Sequence, residues 1–144
     1  MTHSLAITNA LLADPDGQAV TSGSILIEGD SIIAAGDIAI PLDAEKVDAK
    51  GMLVAPGLVD LGVFRTNKPA FKFGGITRAA LMPDQSSPLD DVGLIRHATR
   101  AGKPDFWVHP LAAATRGLHG AELAEIGMMQ AAGARAVSTG RHWI

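Results

Sequence analysis

The sequence contains no cysteine. Without a thiol the chain cannot form a disulfide bond, bind a metal through a thiolate or use a cysteine nucleophile. A chain without cysteine is also typical of a reducing compartment, and we therefore expect the protein to be cytoplasmic.

Long apolar runs are missing as well. A membrane helix needs about 20 consecutive apolar residues, whereas glycine and proline interrupt the apolar runs of this chain every few positions. Lysine and arginine are scattered singly among aspartate and glutamate, with a formal net charge of -3, so the sequence has no basic stripe that would neutralise phosphates. We expect neither a membrane nor a nucleic acid as a partner.

Short β-like runs separated by turn residues fill the first fifty residues. Apolar runs on both sides of Glu28-Gly29-Asp30 predict a hairpin, because Gly29 can take the positive φ that a tight turn requires. So small a module has little area with which to close a core. We predict a small β-rich domain over residues 1–55.

From Met52 onward, longer apolar runs alternate with segments of helical pattern. The strand-like runs are MLVAPGLVDLGVF, ITRAALMPD, DFWVHPLAAAT and ARAVSTG. The segment that follows Pro56-Gly57 should be a buried strand, and helices are expected over about residues 88–101 and over 120–133. This alternation predicts a parallel sheet covered by helices, in a second domain over residues 56–144.

Three segments resemble dihydroorotases and related cyclic amidohydrolases, in the order found in that family. They are VDAKGMLVAPGLVD, GGITRAALMPD and ATRGLHGAELAEIGMMQAAGARAVSTG. The resemblance covers nearly the whole chain and implies an α/β fold: a small N-terminal β-sandwich module followed by the first half, four strands, of a TIM-type (β/α)8 barrel. It also implies that the C-terminal half of the barrel, or another chain, completes the structure.

The family's first-strand metal ligands are replaced in this chain. Working members follow the aspartate of this strand with two histidines one residue apart, and alternate strand residues share a face, so both imidazoles reach one metal. If the chain aligns in this way, Gly62 and Phe64 occupy the two histidine positions after Asp60, and neither side chain can bind a metal. Residues 137–140, near the end of the fourth strand, also lack the family's acidic or modified-lysine ligand. We therefore predict no catalytic residue and no metal ligand.

Two positions resemble the family's substrate-binding residues, an arginine and an asparagine that hold the substrate carboxylate. Arg65 stands one position early for the arginine, and Asp84 stands in place of the asparagine. The acidic side chain at position 84 should repel an anionic substrate. Arg65 and Asp84 are therefore predicted as vestigial substrate-binding residues.

A helix separates the first two barrel strands in the family. In this chain only about nine residues, from Arg65 to Phe73, fill that gap, and they include Pro69. They predict a loop, which leaves an apolar groove on the outside of the barrel for a partner chain to cover.

The remaining candidate ligands are histidines. They are His3, His97, His109, His119 and His142. Their spacing shows no metal-binding pair, and His109, which closes a predicted strand, is the best placed of them. Trp107 and the pair Met128-Met129 are expected on core faces.

Two functions of different class remain open. The favoured hypothesis is a dihydroorotase homologue of pyrimidine biosynthesis without a metal or other cofactor, which acts as a structural or regulatory partner; the resemblance implies aspartate carbamoyltransferase as its partner. The alternative is an active metal-dependent cyclic amidohydrolase whose zinc ligands lie outside this stretch. A fragment of a longer chain is compatible with either.

Overall fold

The computed structural model describes residues 4–141 and divides the chain into two compact units, Met1–Pro56 and Gly57–Ile144. His3 and His142 lie outside the described residues.

The N-terminal unit is a mixed β-sheet. Its strands are β1 (Ser4–Asp14), β2 (Ala19–Glu28), β3 (Ser31–Gly36), β4 (Glu45–Asp48) and β5 (Leu53–Val54). The sheet has the order β3-β2-β1-β4, and β5 also pairs with β1; the first three strands are antiparallel, whereas β4 and β5 run parallel to β1. The predicted hairpin is confirmed, because β2 and β3 flank Gly29, which has a φ of 61°.

A very small core holds this sheet together. The buried residues of its cluster are Ala6, Leu26 and Ala44. The described residues of this unit form one sheet, so the second layer of a β-sandwich stays a prediction.

The second unit alternates strands and helices, as the sequence predicts. Its elements are β6 (Leu58–Val63), α1 (Lys68–Phe73), β7 (Ile76–Leu81), α2 (Val92–Arg100), β8 (Trp107–Ala113), α3 (Ile126–Ala131) and β9 (Ala136–Ser138). The four strands are parallel in the order β6-β7-β8-β9 and form a curled half-barrel sheet. None of the helices in residues 4–141 is long and apolar enough to cross a membrane.

The core of the second unit lies between the helices and one face of this sheet. Ile95 of α2 and Met129 of α3 are completely buried there. Register partners in a parallel pair point to the same face. Ala79 and Val108 are such partners, and both belong to the buried cluster. The face that carries them is therefore the outer, helix-covered face.

The prediction of a loop between the first two strands of this unit is wrong, because α1 forms there. Asn67 caps it, and its side-chain oxygen accepts a hydrogen bond from the Ala70 N–H at 3.2 Å. Pro69 lies in the first turn, where proline needs no intrahelical donor. Phe71 anchors the helix edge-on against Phe106, with 4.7 Å between the ring centroids.

The apolar groove expected from a missing helix is wrong for the same reason, since α1 occupies that place. A cavity of about 340 Å³ runs beside α2. Leu81 and Leu94 line it, but so do Ser86 and His97, so its wall is mixed in polarity.

Two further expectations fail at the edges of this unit. The first barrel strand, β6, is largely exposed and not buried, since it is the edge strand; Leu58 is 61% exposed and Leu61 78%. The second predicted helix, expected over 120–133, begins only at Ile126, and Leu123 is 73% exposed. Backbone hydrogen bonds from Arg116 to Glu122 and from Ala124 to Ala114 hold the preceding segment as a loop.

We predict that Ile95→Ala lowers the free energy of unfolding by about 2–5 kcal/mol, because it leaves a cavity at a fully buried site. Arg96→Ala, on the exposed side of the same helix, should change it by less than about 0.5 kcal/mol. Urea unfolding followed by circular dichroism measures both, and equal costs would contradict the assignment of the core.

Candidate functional site

The carboxyl ends of β6, β7, β8 and β9 meet at one edge of the sheet, and in barrel enzymes chemistry takes place at this edge. Phe64 follows β6 directly, Asp84 lies in the loop after β7, and Gly140 and Arg141 follow β9. We call this group the mouth.

An ion pair joins two of these strand ends. The Arg141 Nε donates to the Asp84 Oδ2 at 2.5 Å. Only 5% of the Asp84 side chain is exposed, against 66% for Arg141. A charge-assisted hydrogen bond of this kind is stronger than a neutral one, so Arg141 neutralises a carboxylate that solvent hardly reaches.

The second carboxylate oxygen of Asp84 is not paired in this way. Its Oδ1 is buried and lacks a hydrogen-bond partner among the described residues. Gly140 comes close to this carboxyl group: it has a φ of 64°, and a Cβ built on it would lie 2.9 Å from the Asp84 Cγ. Only glycine fits this position without strain.

Arg141 also contacts Phe64, which lies at the end of β6. Its Cζ lies 4.3 Å from the centre of the Phe64 ring, within the range of a cation–π interaction. One guanidinium therefore links the ends of β6, β7 and β9.

The two positions predicted to align with the family's histidines, Gly62 and Phe64, carry no side-chain metal ligand. Gly62 offers only its backbone N–H, which donates to the Asp60 Oδ1 at 3.0 Å. A register shift between Asp60 and Val63 also breaks the strict alternation of side chains assumed from the sequence. Within residues 4–141 no three histidine, aspartate or glutamate side chains lie close enough to hold a metal ion. The described side chains at the mouth do not fit a metal.

The two predicted substrate-binding residues make no hydrogen bond or ion pair with each other within the described part of the chain. Asp84 lies in the mouth, whereas Arg65 is exposed and makes no hydrogen bond or ion pair within the described part of the chain. Their role in substrate binding stays a prediction. Sequence reasoning missed Arg141: a cation after the fourth strand was visible in the sequence, but no residue near it identified Asp84 as its partner.

His109 lies on β8, on the inner face of the sheet, which points away from the helices. Its register partner is Ala80, and the neighbouring pair on the same face is Arg78 and Trp107. Burial lowers the pKa of His109 below its ordinary value, and the positive charges of Arg135, Arg78 and Lys103 lower it further. The neutral imidazole is therefore favoured.

The expected core positions of Trp107 and Met128 are wrong. Trp107 is 49% exposed on the inner face and Met128 is 60% exposed, while Met129 is buried as predicted. The Arg78 Cζ lies 5.7 Å from the centre of the Trp107 ring, and the Lys103 ammonium lies over the same ring. Cations, and not a hydrophobic core, surround this indole.

No protein-family model matches the chain. The chain is 35% identical over 155 residues to the dihydroorotase of Syntrophotalea carbinolica, covering 96% of this chain and 36% of that protein. It is 34% identical over 148 residues to the dihydroorotase of Pelotomaculum thermopropionicum, covering 93% and 34%. The chain thus spans about a third of the length of these relatives. Both matches are longer than the 144-residue chain, so the relatives carry segments that it lacks.

Solved structures share the fold at lower identity. The L-hydantoinase (dihydropyrimidinase) from Arthrobacter aurescens superposes with a TM-score of 0.75 and 21% identity, over 95% of this chain and 32% of that one. A crystal structure of a dihydroorotase gives a TM-score of 0.56 and 17% identity, over 90% and 38%. The chain therefore shares the fold of part of each of these two structures.

We predict that Arg141→Ala lowers the free energy of unfolding by about 1–3 kcal/mol, because it leaves the Asp84 carboxylate buried without a partner. The control is Arg116→Ala, which breaks exposed ion pairs to Glu122 and Glu125 and should cost less than about 1 kcal/mol. Thermal unfolding measures both. Adding Asp84→Asn to Arg141→Ala should recover part of the loss, and no recovery would contradict the pairing.

We also predict that His109 titrates below about 6.5, the ordinary pKa of histidine. Arg78→Gln should raise this pKa, whereas Arg96→Gln on α2 should not. Below about pH 6.5 the unfolded chain takes up a proton that folded His109 resists, so His109 lowers stability as the pH falls through that value. Nuclear magnetic resonance titration of the imidazole measures the pKa, and a value at or above 6.5 would refute this.

Proposed function

We propose that the chain, which is similar to dihydroorotases over about a third of their length, is a dihydroorotase homologue of pyrimidine biosynthesis that works without a catalytic metal, as a structural or regulatory partner. The observation that carries this proposal is the mouth, where Arg141 lies between Phe64 and Asp84.

The donor chemistry of the mouth supports a role without metal. A hydrolytic metal polarises the carbonyl and lowers the pKa of its bound water, and both effects require ligands that fix the ion. Gly62 and Phe64 offer no side-chain lone pair. The guanidinium of Arg141 has only donors and stays protonated, so it cannot act as a general base.

The charge at the mouth supports the same proposal. A divalent ion about 4 Å from a guanidinium meets a repulsion of roughly 8 kcal/mol at an effective dielectric constant of about 20, before screening of the exposed side chain. Asp84 would offset part of this repulsion, but its Oδ2 already accepts from Arg141. A metal at this position would meet this repulsion with the Oδ1 of Asp84 as its one unpaired carboxylate oxygen.

The proposed partners follow from the open sheet. Both edge strands, β6 and β9, leave one side without a neighbouring strand among the described residues, and such edges pair readily with other strands. The C-terminal half of a barrel, or another chain, would cover them. Resemblance alone supports aspartate carbamoyltransferase as the associated enzyme and the cytoplasm as the location.

The competing function is an active cyclic amidohydrolase whose zinc ligands lie outside residues 1–144. It would have to assemble its site without the first-strand pair. The two functions differ in metal content and turnover, so one experiment separates them.

We predict that the natural-length protein, loaded with zinc and then freed of excess metal, retains no stoichiometric zinc and does not hydrolyse dihydroorotate. Elemental analysis and a spectrophotometric hydrolysis assay measure these quantities. The Syntrophotalea carbinolica dihydroorotase, treated in parallel, is the positive control. About one zinc per chain together with turnover would overturn the proposal and establish the competing function.

A further inference from the structure

Two groups of the mouth contact one planar cation. The carboxylate of Asp84, whose side chain is only 5% exposed, accepts a hydrogen bond from the Arg141 guanidinium. The Phe64 ring lies beside the same guanidinium, with 4.3 Å between the ring centre and the Arg141 Cζ. A carboxylate and an aromatic ring are the groups that a planar guanidinium pairs with and stacks on. The mouth therefore has the chemistry of a guanidinium-binding site, with a side chain of the same chain as its occupant.

Arg141 uses this site incompletely. Its Nε donates to the Asp84 Oδ2, whereas the buried Oδ1 accepts no hydrogen bond from any residue between 4 and 141. The two Nη groups form no hydrogen bond within the same residues. A guanidinium that faces both oxygens of a carboxylate forms two parallel hydrogen bonds, which is a stronger arrangement than a single bond. Half of the pairing that Asp84 offers is therefore unused.

The backbone next to Arg141 restricts how its side chain reaches Asp84. The preceding residue, Gly140, lies against the Asp84 carboxyl group, and its N–H donates to the Ser138 Oγ at 3.0 Å. The guanidinium is thus tethered close to the carboxylate that it pairs with, and only one of its edges meets an oxygen. A guanidinium group that is not part of this segment has no such restriction. The Arg141 side chain is 66% exposed, so it can leave toward solvent.

The same two groups discriminate against other ligands. An ammonium ion is compact and strongly hydrated, and it has no planar face to stack on Phe64. A divalent metal needs several ligands, and no three histidine, aspartate or glutamate side chains in residues 4–141 could hold one. An anion would be repelled by the Asp84 carboxylate.

We propose that the mouth is a binding site for an external guanidinium group, and that Arg141 is an internal competitor which leaves Asp84 when that group binds. The inference deepens the proposed function, on which it rests for the absence of a metal from the mouth, by giving the chemical class of a ligand for the same site. It concerns binding alone and involves no turnover.

The test titrates the isotope-labelled natural-length protein with methylguanidinium at constant ionic strength and follows the Gly140 amide by nuclear magnetic resonance. Arg141→Ala should bind the probe about tenfold more tightly than the unmodified protein, because a tethered competitor acts at a high effective concentration. Adding Asp84→Asn to Arg141→Ala should weaken binding at least about tenfold, since the carboxylate is lost. If Arg141→Ala does not fold, Arg141→Met, which keeps an apolar contact with Phe64, replaces it in both comparisons.

The matched control is Arg116→Ala, which also removes one exposed arginine, here paired with Glu122 and Glu125, and should leave the affinity unchanged. Tetramethylammonium has the same charge but no N–H donor, and we expect no binding. A guanidinium group can belong to a free compound or to an arginine of a polypeptide. Tighter binding of butylguanidinium than of N-acetylarginine N-methylamide would identify the first source, and the reverse order the second.

Four results would overturn the inference: equal affinity of Arg141→Ala and the unmodified protein, an equal gain in Arg116→Ala, no loss on adding Asp84→Asn, or equal binding of tetramethylammonium. Acetate binding that is lost in Arg141→Ala would assign the mouth to an anion instead. A protein that holds zinc and hydrolyses dihydroorotate, but shows the expected binding of methylguanidinium, would refute only the proposed function. One without zinc or turnover that does not bind the probe as an Arg141→Ala variant would refute only this inference.

Discussion

Burial of Ile95 and Met129 between the helices and the outer face of the sheet orients the rest of the C-terminal unit. Once one face is buried, the period of two along each strand sends Trp107 and His109 to the other face. The parallel direction of the four strands then gathers Phe64, Asp84 and Arg141 at a single edge. Neither cluster of charge would exist if a strand shifted its register by one residue.

The sequence predicted what is decided locally. The hairpin at Gly29 and the alternation of strands and helices depend on residues near one another in the chain, and both are found. The helix α1 was missed because proline was treated as a breaker, whereas its place in the first turn is harmless. The pairing of Arg141 with Asp84, 57 positions apart, depends on the folded sheet, so no local pattern could reveal it.

The local distribution of charge could not be predicted from the sequence either. Along the chain the cations are scattered, and the expectation of no basic stripe describes the sequence correctly. In the fold, Arg78 and Lys103 meet around one indole because β7 and β8 are neighbours. Register, and not composition, creates this local surplus of positive charge. That no nucleic acid binds the chain stays a prediction.

The link that Arg141 makes between Phe64 and Asp84 bears on how this lineage can change. If Arg141 alone is lost, the buried Asp84 carboxylate is left without a partner. If histidine replaces Phe64 alone, the contact between ring and cation is exchanged for an imidazole beside a guanidinium. Each single step toward a metal site is therefore unfavourable before any ligand set is complete. The effect of a substitution at position 64, 84 or 141 should therefore depend on the residues at the other two positions, so changes at these sites are expected to be coupled and not additive.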